Sequence, residues 1–270
     1  MKKLVVSIMT SALLLVGINW NTDSIVEAQT APSIYTSQSA VSKVVKPKTV
    51  ASSTKVATSS KTKEPMKVNY STLMQSSGWQ SKVNNGKTSG AVGKGKRLEA
   101  IKIELSNPEF KGGITYQTNV QSKGWLGWKS NGQVSGTQGE SKRLEAIKVK
   151  LTGEMEKKYD VYYRVHSETF GWQGWAKNGE AAGTVGFGFR LEGIEVKLVK
   201  KGNKAPGTIN NIFRDGNKKY VDAKGKGLIK GSNNKIYHIP NSQYYKATTK
   251  PKAMFTTEVQ AIKAGYRPAK

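Results

Sequence analysis

The side chains of this sequence best placed to do chemistry are its tryptophans, because they recur. Trp79, Trp125 and Trp172 each follow a glycine and are almost equally spaced, and Arg97, Arg143 and Arg190 keep the same spacing. Three residues beyond each Trp lies a second position, held by Lys82 in the first unit and by Trp128 and Trp175 in the other two. A position that accepts lysine is expected to be exposed, since burying an unpaired ammonium is costly. Trp128 and Trp175 are therefore the leading candidates for ligand contact. An exposed indole offers a flat apolar face to a sugar ring or another planar group. Lys82 suits a charged ligand at the same place, or marks a terminal cap. Trp79, Trp125 and Trp172 complete the candidate ligand-binding set, with packing expected as their main role.

The remaining constellations point away from catalysis. The chain has no cysteine, which excludes thiol chemistry, a disulfide framework and every cysteine-containing metal site. Its two histidines cannot form a three-histidine metal site. His238, among Tyr and Pro, is expected to pack and hydrogen-bond, and His166, in a strand of the third unit, has no repeated partner in the other two units. Arg97 and Glu99, Arg143 and Glu145, and Arg190 and Glu192 stand two residues apart, on one side of a strand. A structural ion pair is the expected reading, and hydrogen bonding to ligand hydroxyls the alternative. The run Gly90–Lys96 lacks the spacing and the Lys-Ser/Thr ending of a phosphate-binding loop and reads as a basic hairpin. The acids fall mostly in repeat register. No enzyme, cofactor or metal is expected. The 270 residues carry 44 Lys and Arg against 18 Asp and Glu, a net charge of +26, which predicts a polyanionic partner. About half of that excess lies beyond residue 198.

The elements that must position these residues read as β. Each unit opens on an alternation (Val68/Tyr70, Ile114/Tyr116, Val161/Tyr163) and closes on a longer one. Ile101, Ile103 and Leu105 share a face opposite Lys102 and Glu104, and Ile147/Val149/Leu151 and Ile194/Val196/Leu198 repeat the pattern. Period two with one apolar face means half-buried strands. Asn-Gly at 85–86, 131–132 and 178–179 supplies tight hairpin turns, and the pairs Gly90/Gly93, Gly136/Gly139 and Gly183/Gly186 are expected to mark further turns. A hydrophobic fraction of 36% is low for one large core. The expected fold is mainly β. Three repeats (67–106, 113–152, 160–199) share one core with pseudo-threefold symmetry, as in a β-prism or β-trefoil, with three side-by-side units as the alternative.

Around the repeats, residues 1–28 read as a secretory signal peptide: Lys2 and Lys3, the apolar run Leu4–Ile18, and a small-x-small site at Val26-Glu27-Ala28. Residues 29–66 are Ser/Thr/Lys-rich and read as a disordered linker. Residues 201–226 read as a basic linker, with a short hairpin at Asn217–Val221. From 227 to 270 a small α+β module is expected. Its strands lie at Leu228–Gly231 and Lys235–Pro240. A helix over Thr257–Ala264 is capped by Thr257 and Gln260 and ended by Gly265.

The run Gly124-Trp125-Leu126-Gly127-Trp128-Lys129-Ser130-Asn131-Gly132, followed by Gly136-Thr137-Gln138-Gly139 and Arg143-Leu144-Glu145-Ala146-Ile147, resembles the clostridial hydrophobic, tryptophan-containing (ChW) repeats. Gly171-Trp172-Gln173-Gly174-Trp175 with Asn178-Gly179 and Ala182-Gly183-Thr184 does so as well, while the first unit departs at Lys82. The resemblance implies a binding or adhesion role on a secreted or surface protein of a low-GC Gram-positive bacterium. The residues Ile229-Lys230-Gly231, Ile236–Pro240, Tyr244-Tyr245, Phe255–Glu258 and Ala264–Arg267 resemble the small sunset domain found at the C-terminus of some secreted bacterial nucleases and surface proteins. Asn241-Ser242 stands where that family has a Gly pair, and Met254 where it has Trp.

The expected protein is therefore secreted, non-catalytic and held noncovalently at the cell surface, with no membrane span once the signal is removed. Its repeats bind a cell-wall or host glycan. Its basic segments bind anionic wall polymer such as teichoic acid, or peptidoglycan. Two alternatives are an extracellular nucleic-acid binder, with Lys/Arg on the backbone and Trp/Tyr stacking on bases of DNA, and an accessory protein to a wall hydrolase or nuclease.

Overall fold

The structure is a computed structural model and describes residues 64–269. The expected signal peptide, and the expected linker up to residue 63, lie outside the described residues.

Each repeat contributes five strands. The first gives β1 (Lys67–Met74), β2 (Gly78–Trp79), β3 (Val83–Asn84), β4 (Ser89–Gly90) and β5 (Leu98–Ser106). The second gives β6 (Gly112–Val120), β7 (Gly124–Trp125), β8 (Lys129–Ser130), β9 (Ser135–Gly136) and β10 (Leu144–Gly153). The third gives β11 (Tyr159–Ser167), β12 (Gly171–Trp172), β13 (Ala176–Lys177), β14 (Ala182–Val185) and β15 (Leu191–Lys200). A five-residue helix α1 (Glu154–Lys158), not expected from the sequence, joins β10 to β11 and drops Met155 into the core.

In every repeat the two long strands pair antiparallel along their length, with a register irregularity near one end. The two short strands after the first long one fold back onto its free edge. The next short strand leaves its own repeat. β9 of the second repeat adds to β5 of the first, β14 of the third to β10 of the second, and β4 of the first to β15 of the third. The exchange closes a ring. Three sheets result, and the inward side chains of all of them (Val68, Tyr70, Ile103, Ile114, Tyr116, Val149, Val161, Tyr163, Val196 and their neighbours) form one core. This is the shared-core arrangement, in prism-like form, and not three side-by-side units.

Local chemistry explains why each unit folds this way. Asn85, Asn131 and Asn178 adopt positive φ, as do Gly86, Gly132 and Gly179, so Asn-Gly makes the tight turn. Each Asn side chain accepts a hydrogen bond from the backbone N–H of Val68, Ile114 or Val161, at 3.0–3.1 Å. Each turn glycine then donates to a neighbouring repeat: Gly86 to Val196, Gly132 to Ile103 and Gly179 to Val149. The buried tyrosines Tyr70, Tyr116 and Tyr163 donate their hydroxyls to the carbonyls of Lys87, Gln133 and Glu180. Thr72 and Ser89 share a buried hydrogen bond at 2.9 Å, as do Thr118 and Ser135. In the third repeat the equivalent pair is Val165 and Ala182. Both partners are replaced by apolar groups of similar shape, so no polar atom is stranded.

The Gly-x-x-Gly pairs divide their roles. Gly93, Gly139 and Gly186, with φ of 69°, 75° and 78°, turn the chain as expected. The first glycine of each pair instead lies on the exchanged strand. A Cβ on Gly90, Gly136 or Gly183 would overlap the backbone carbonyl of Glu192, Glu99 or Glu145 in the neighbouring repeat.

The segment 201–226, expected as a linker, is built into the structure. Thr208 accepts the N–H of Trp175, Ile212 accepts that of Gly183, and β16 (Phe213–Asp215) adds in parallel to β14. The apolar side chain of Ile212 packs on the repeat core, which accounts for the docking. Beyond it, β17 (Ile229–Gly231), β18 (Ile236–His238), β19 (Ala253–Phe255), α2 (Glu258–Lys263) and β20 (Arg267–Pro268) form the expected α+β module around Ile229, Tyr237, Ala261 and Tyr266. Thr257 caps α2 by accepting the N–H of Gln260, while Gln260 reaches back to the N–H of Thr256. Gly265 ends the helix at φ 79°. Buried Glu258 accepts from Arg214 of β16 at 2.5 Å and from the Tyr237 hydroxyl at 2.6 Å, tying module to repeats.

Gly136→Ala is expected to lower stability in chemical denaturation by about 2–3 kcal/mol or more, from strain and a displaced neighbouring strand. Gly139→Ala, with open space at its Cβ, is expected to cost only about 1 kcal/mol. Burial raises the phenol of Tyr70 from 10.0 to about 12, and those of Tyr116 and Tyr163 also rise through burial. A raised pKa means these groups support the fold fully below the ordinary phenol value and lose that support as pH climbs through the raised one. An absorbance titration should show these tyrosines ionising late, together with unfolding.

Candidate ligand-binding site

The polar phase of the closing strands faces outward, and there it meets the tryptophans. Trp125 on β7 and Trp128 just beyond it hang from the edge of β6, anchored between them by Leu126, whose N–H donates to Thr118 and whose side chain packs on the core. The Lys148 ammonium lies 4.6 Å from the Trp125 ring centre, and that of Lys150 4.6 Å from Trp128. Lys148 and Lys150 are alternate residues of β10, so the two Trp–Lys rungs are about 6.6 Å apart along the strand. Each cation–π contact at an exposed site contributes about 0.5–1 kcal/mol.

The first repeat keeps one rung and replaces the other. Lys102 stands 4.4 Å from the Trp79 ring centre, and the indole N–H donates to Gln138 of the second repeat at 3.1 Å. Lys82 at the second position pairs with Glu104 at 2.5 Å. Position 104 is the counterpart of Lys150, so Trp over Lys in one repeat becomes Lys with Glu in the other. In the third repeat Glu195 replaces the lysine, and Arg164 serves both rings, 4.7 Å from Trp172 and 4.9 Å from Trp175, while pairing with Glu195 at 2.7 Å.

Exposure separates the candidates. Trp128 is 42% exposed, as expected for ligand contact. Trp175 is only 6% exposed, a correction to its expected exposure. Its backbone N–H donates to Thr208, and Gly207 sits against its indole nitrogen, so the segment after the third repeat covers it. Trp79, Trp125 and Trp172, expected mainly to pack, are half-buried on the outer sheets rather than in the core. Lys82 is exposed but already paired.

The Arg-x-Glu pairs are two-pronged ion pairs. Arg97 reaches Glu99 at 2.9 and 2.7 Å, Arg143 reaches Glu145 at 2.8 and 2.7 Å, and Arg190 reaches Glu192 at 3.0 and 2.9 Å. All three glutamates are buried, and Glu192 also accepts the N–H of Gly93. This is the structural role expected. His166 lies edge-on to Trp172 with Nδ1 3.3 Å from Glu192. Burial pushes its pKa below the usual histidine value, against the pull of that carboxylate. His238 is buried beside Tyr244, its pKa lowered by burial and then by Lys230. Among the described residues no group of three His, Asp or Glu is arranged to hold a metal ion.

The residues that sequence reasoning missed are Lys102, Lys148, Lys150 and Arg164. Their signal was present, since they occupy the polar phase of the alternating strands, but nothing local told which ring each would cover.

Denaturation should separate the two tryptophans. Trp175→Ala is expected to cost about 3–5 kcal/mol, as for a buried aromatic. Trp128→Ala is expected to change stability by about 1 kcal/mol or less, the scale of one exposed cation–π contact.

Comparison with known proteins agrees with this division into units. The family model described as Clostridial hydrophobic W (ChW) matches residues 74–107, 119–153 and 166–200. No curated protein and no solved structure gives a match. Each matched segment starts at or near the end of a first long strand and runs through the closing strand, so it holds the Trp positions, the Asn-Gly turn, the exchanged glycine and the Arg-Glu pair. The chain thus matches the Clostridial hydrophobic W model three times, and the three matched stretches are joined into one closed β domain.

Proposed function

We propose that this is a non-catalytic binding protein of the bacterial cell surface, secreted and retained noncovalently, whose second repeat engages a glycan bearing anionic groups. The observation that carries this reading is the pair of rungs formed by Trp125 with Lys148 and Trp128 with Lys150. A saccharide or alditol unit lies against the indole, and a phosphate or carboxylate draws the adjacent ammonium off its ring, which costs only the weak cation–π contact. Teichoic-acid-like wall polymer has this composition. The net charge of +26 brings such a polymer in from a distance. The repeat family points the same way, toward a surface-associated protein. The C-terminal module, with its sunset-like residues, fits a protein of that location. No helix among the described residues is long and apolar enough to cross a membrane.

The test is sedimentation of the protein with purified cell walls, before and after chemical removal of the anionic polymers, across a salt series. Binding is expected to fall steeply as the Debye length shrinks from about 10 Å at 0.1 M to about 3 Å at 1 M salt. It should also drop on polymer removal and weaken in Trp128→Ala and in the double variant Lys148→Ala with Lys150→Ala. No sedimentation at any salt, or sedimentation indifferent to those variants, overturns the assignment to the second repeat.

A further inference from the structure

The third repeat differs from the other two where the C-terminal module docks. Phe170, Phe187 and Phe189 form a cluster with ring centres 5.2–5.6 Å apart. The positions equivalent to Phe187 and Phe189 hold Lys94 and Lys96 in the first repeat, and Glu140 and Lys142 in the second. Arg214 lies 4.7 Å from the Phe170 ring centre, with its charge met by buried Glu258. The backbone of Asn210 crosses so close over Gly174 that a Cβ there would overlap its carbonyl. Gln173, buried, donates to the carbonyls of Gly183 and Asn211 and fixes that crossing.

This docking leaves two adjoining cavities of about 560 and 540 Å³, which share Asn210, Asn211, Arg214, Pro268 and Ala269 in their linings. Each is the size of a small-molecule site, about 300–1,000 Å³. Their chemistry departs from the rest of the protein. Among the described residues, lysine-rich elsewhere, no lysine lines either cavity. No carboxylate side chain of the described residues lines them either, and of the two arginines present Arg214 is neutralised by Glu258, which leaves Arg267. In place of charge there are aromatic rings, Trp172 on one wall and half-exposed Tyr244 on the other. The side-chain amides of Asn210, Asn211, Asn241 and Gln243 line the same walls and make no hydrogen bond to other described residues. Open amides supply both donors and acceptors, which matches sugar hydroxyls, and rings match the apolar faces of pyranoses.

We propose that this cleft is a second binding site, for a neutral oligosaccharide, built jointly by the third repeat and the C-terminal module. It takes its ligand class from the surface-binding reading above but uses different residues and a different force. The rungs of the second repeat act through charge. The cleft acts through stacking and amide hydrogen bonds at short range. It commits the covered third repeat to recognition of uncharged glycan and leaves charged polymer to the second.

The experiment is calorimetric titration of the full secreted chain with three probes: a β-1,4-linked N-acetylglucosamine hexamer, an N-acetyllactosamine tetrasaccharide and hexaglutamate. Binding of one of the two saccharides is expected, with a Kd that changes less than about twofold between about 0.1 and 0.5 M NaCl. The hexamer binding alone identifies a wall-type backbone, and the tetrasaccharide alone a host-type chain. Tyr244→Ala and Gln243→Ala, both at exposed positions, should each weaken that binding by about tenfold, while Trp128→Ala leaves it unchanged. No heat with either saccharide, binding of hexaglutamate alone, loss of binding with salt, or loss in Trp128→Ala overturns the proposal. Wall sedimentation that still depends on Trp128 in that event leaves the first reading standing, so the two fail separately.

Discussion

The fold rests on a gift of strands. Each closing strand, β5, β10 or β15, pairs on one side with its own repeat and would otherwise present a row of unmet N–H and C=O groups on the other. The neighbouring repeat fills that edge with two residues, and the contact is tight enough that only glycine fits at Gly90, Gly136 and Gly183. The Asn-Gly turns add a second bond in the same direction, and Thr88 of the first repeat reaches Glu195 of the third at 2.7 Å. Because the third exchange runs from first repeat to last, the ring leaves no closing strand unpaired, and a small unit that could bury little surface alone shares one core with two others.

Within that frame the three outer faces have diverged in coupled steps. Where Trp128 gives way to Lys82, Lys150 gives way to Glu104, so the cation moves from strand to edge and finds a carboxylate. Where Lys148 gives way to Glu195, Arg164 appears on the adjacent strand to serve both rings and the new carboxylate. The interior shows the same coupling, with Thr and Ser replaced together by Val165 and Ala182. The scaffold therefore holds three chemically distinct surfaces on one backbone plan: an ion-paired one, a pair of open Trp–Lys rungs, and a Trp–Arg–Trp stack covered at Trp175.

Much of this was legible because it is local. Alternation marked Tyr70, Tyr116 and Tyr163 and the closing strands, Asn-Gly marked the turns, and Thr257, Gln260 and Gly265 marked the short helix. The failures share a cause. The exposure of Trp175 was inferred from Lys82 at the equivalent place, but exposure there is set by what lies on top, and only the third repeat is followed by residues that fold back. Those residues are rich in Gly, Asn and Lys and read as solvated. Their apolar residues are few and scattered (Ile209, Ile212, Phe213, Tyr220 and Val221), and one short strand needs no more. Likewise Gly90 and Gly93 look alike in sequence, yet one obeys a turn and the other a carbonyl about a hundred residues away, which no local pattern reports.

That distance has a consequence for how the chain comes into being. A polypeptide is made from its N-terminus, and domains tend to fold as their residues emerge. The first two repeats can pair β5 with β9 while synthesis continues, but β4 has no partner until Leu191–Lys200 exist, and the contact that closes the ring joins residues 107 positions apart. Contacts of such separation form late and slowly. An incomplete chain is thus an open strip with β4 and the edge of β10 both unmet. A chain released early, or cut before its third repeat, offers those edges to a second copy and not to itself.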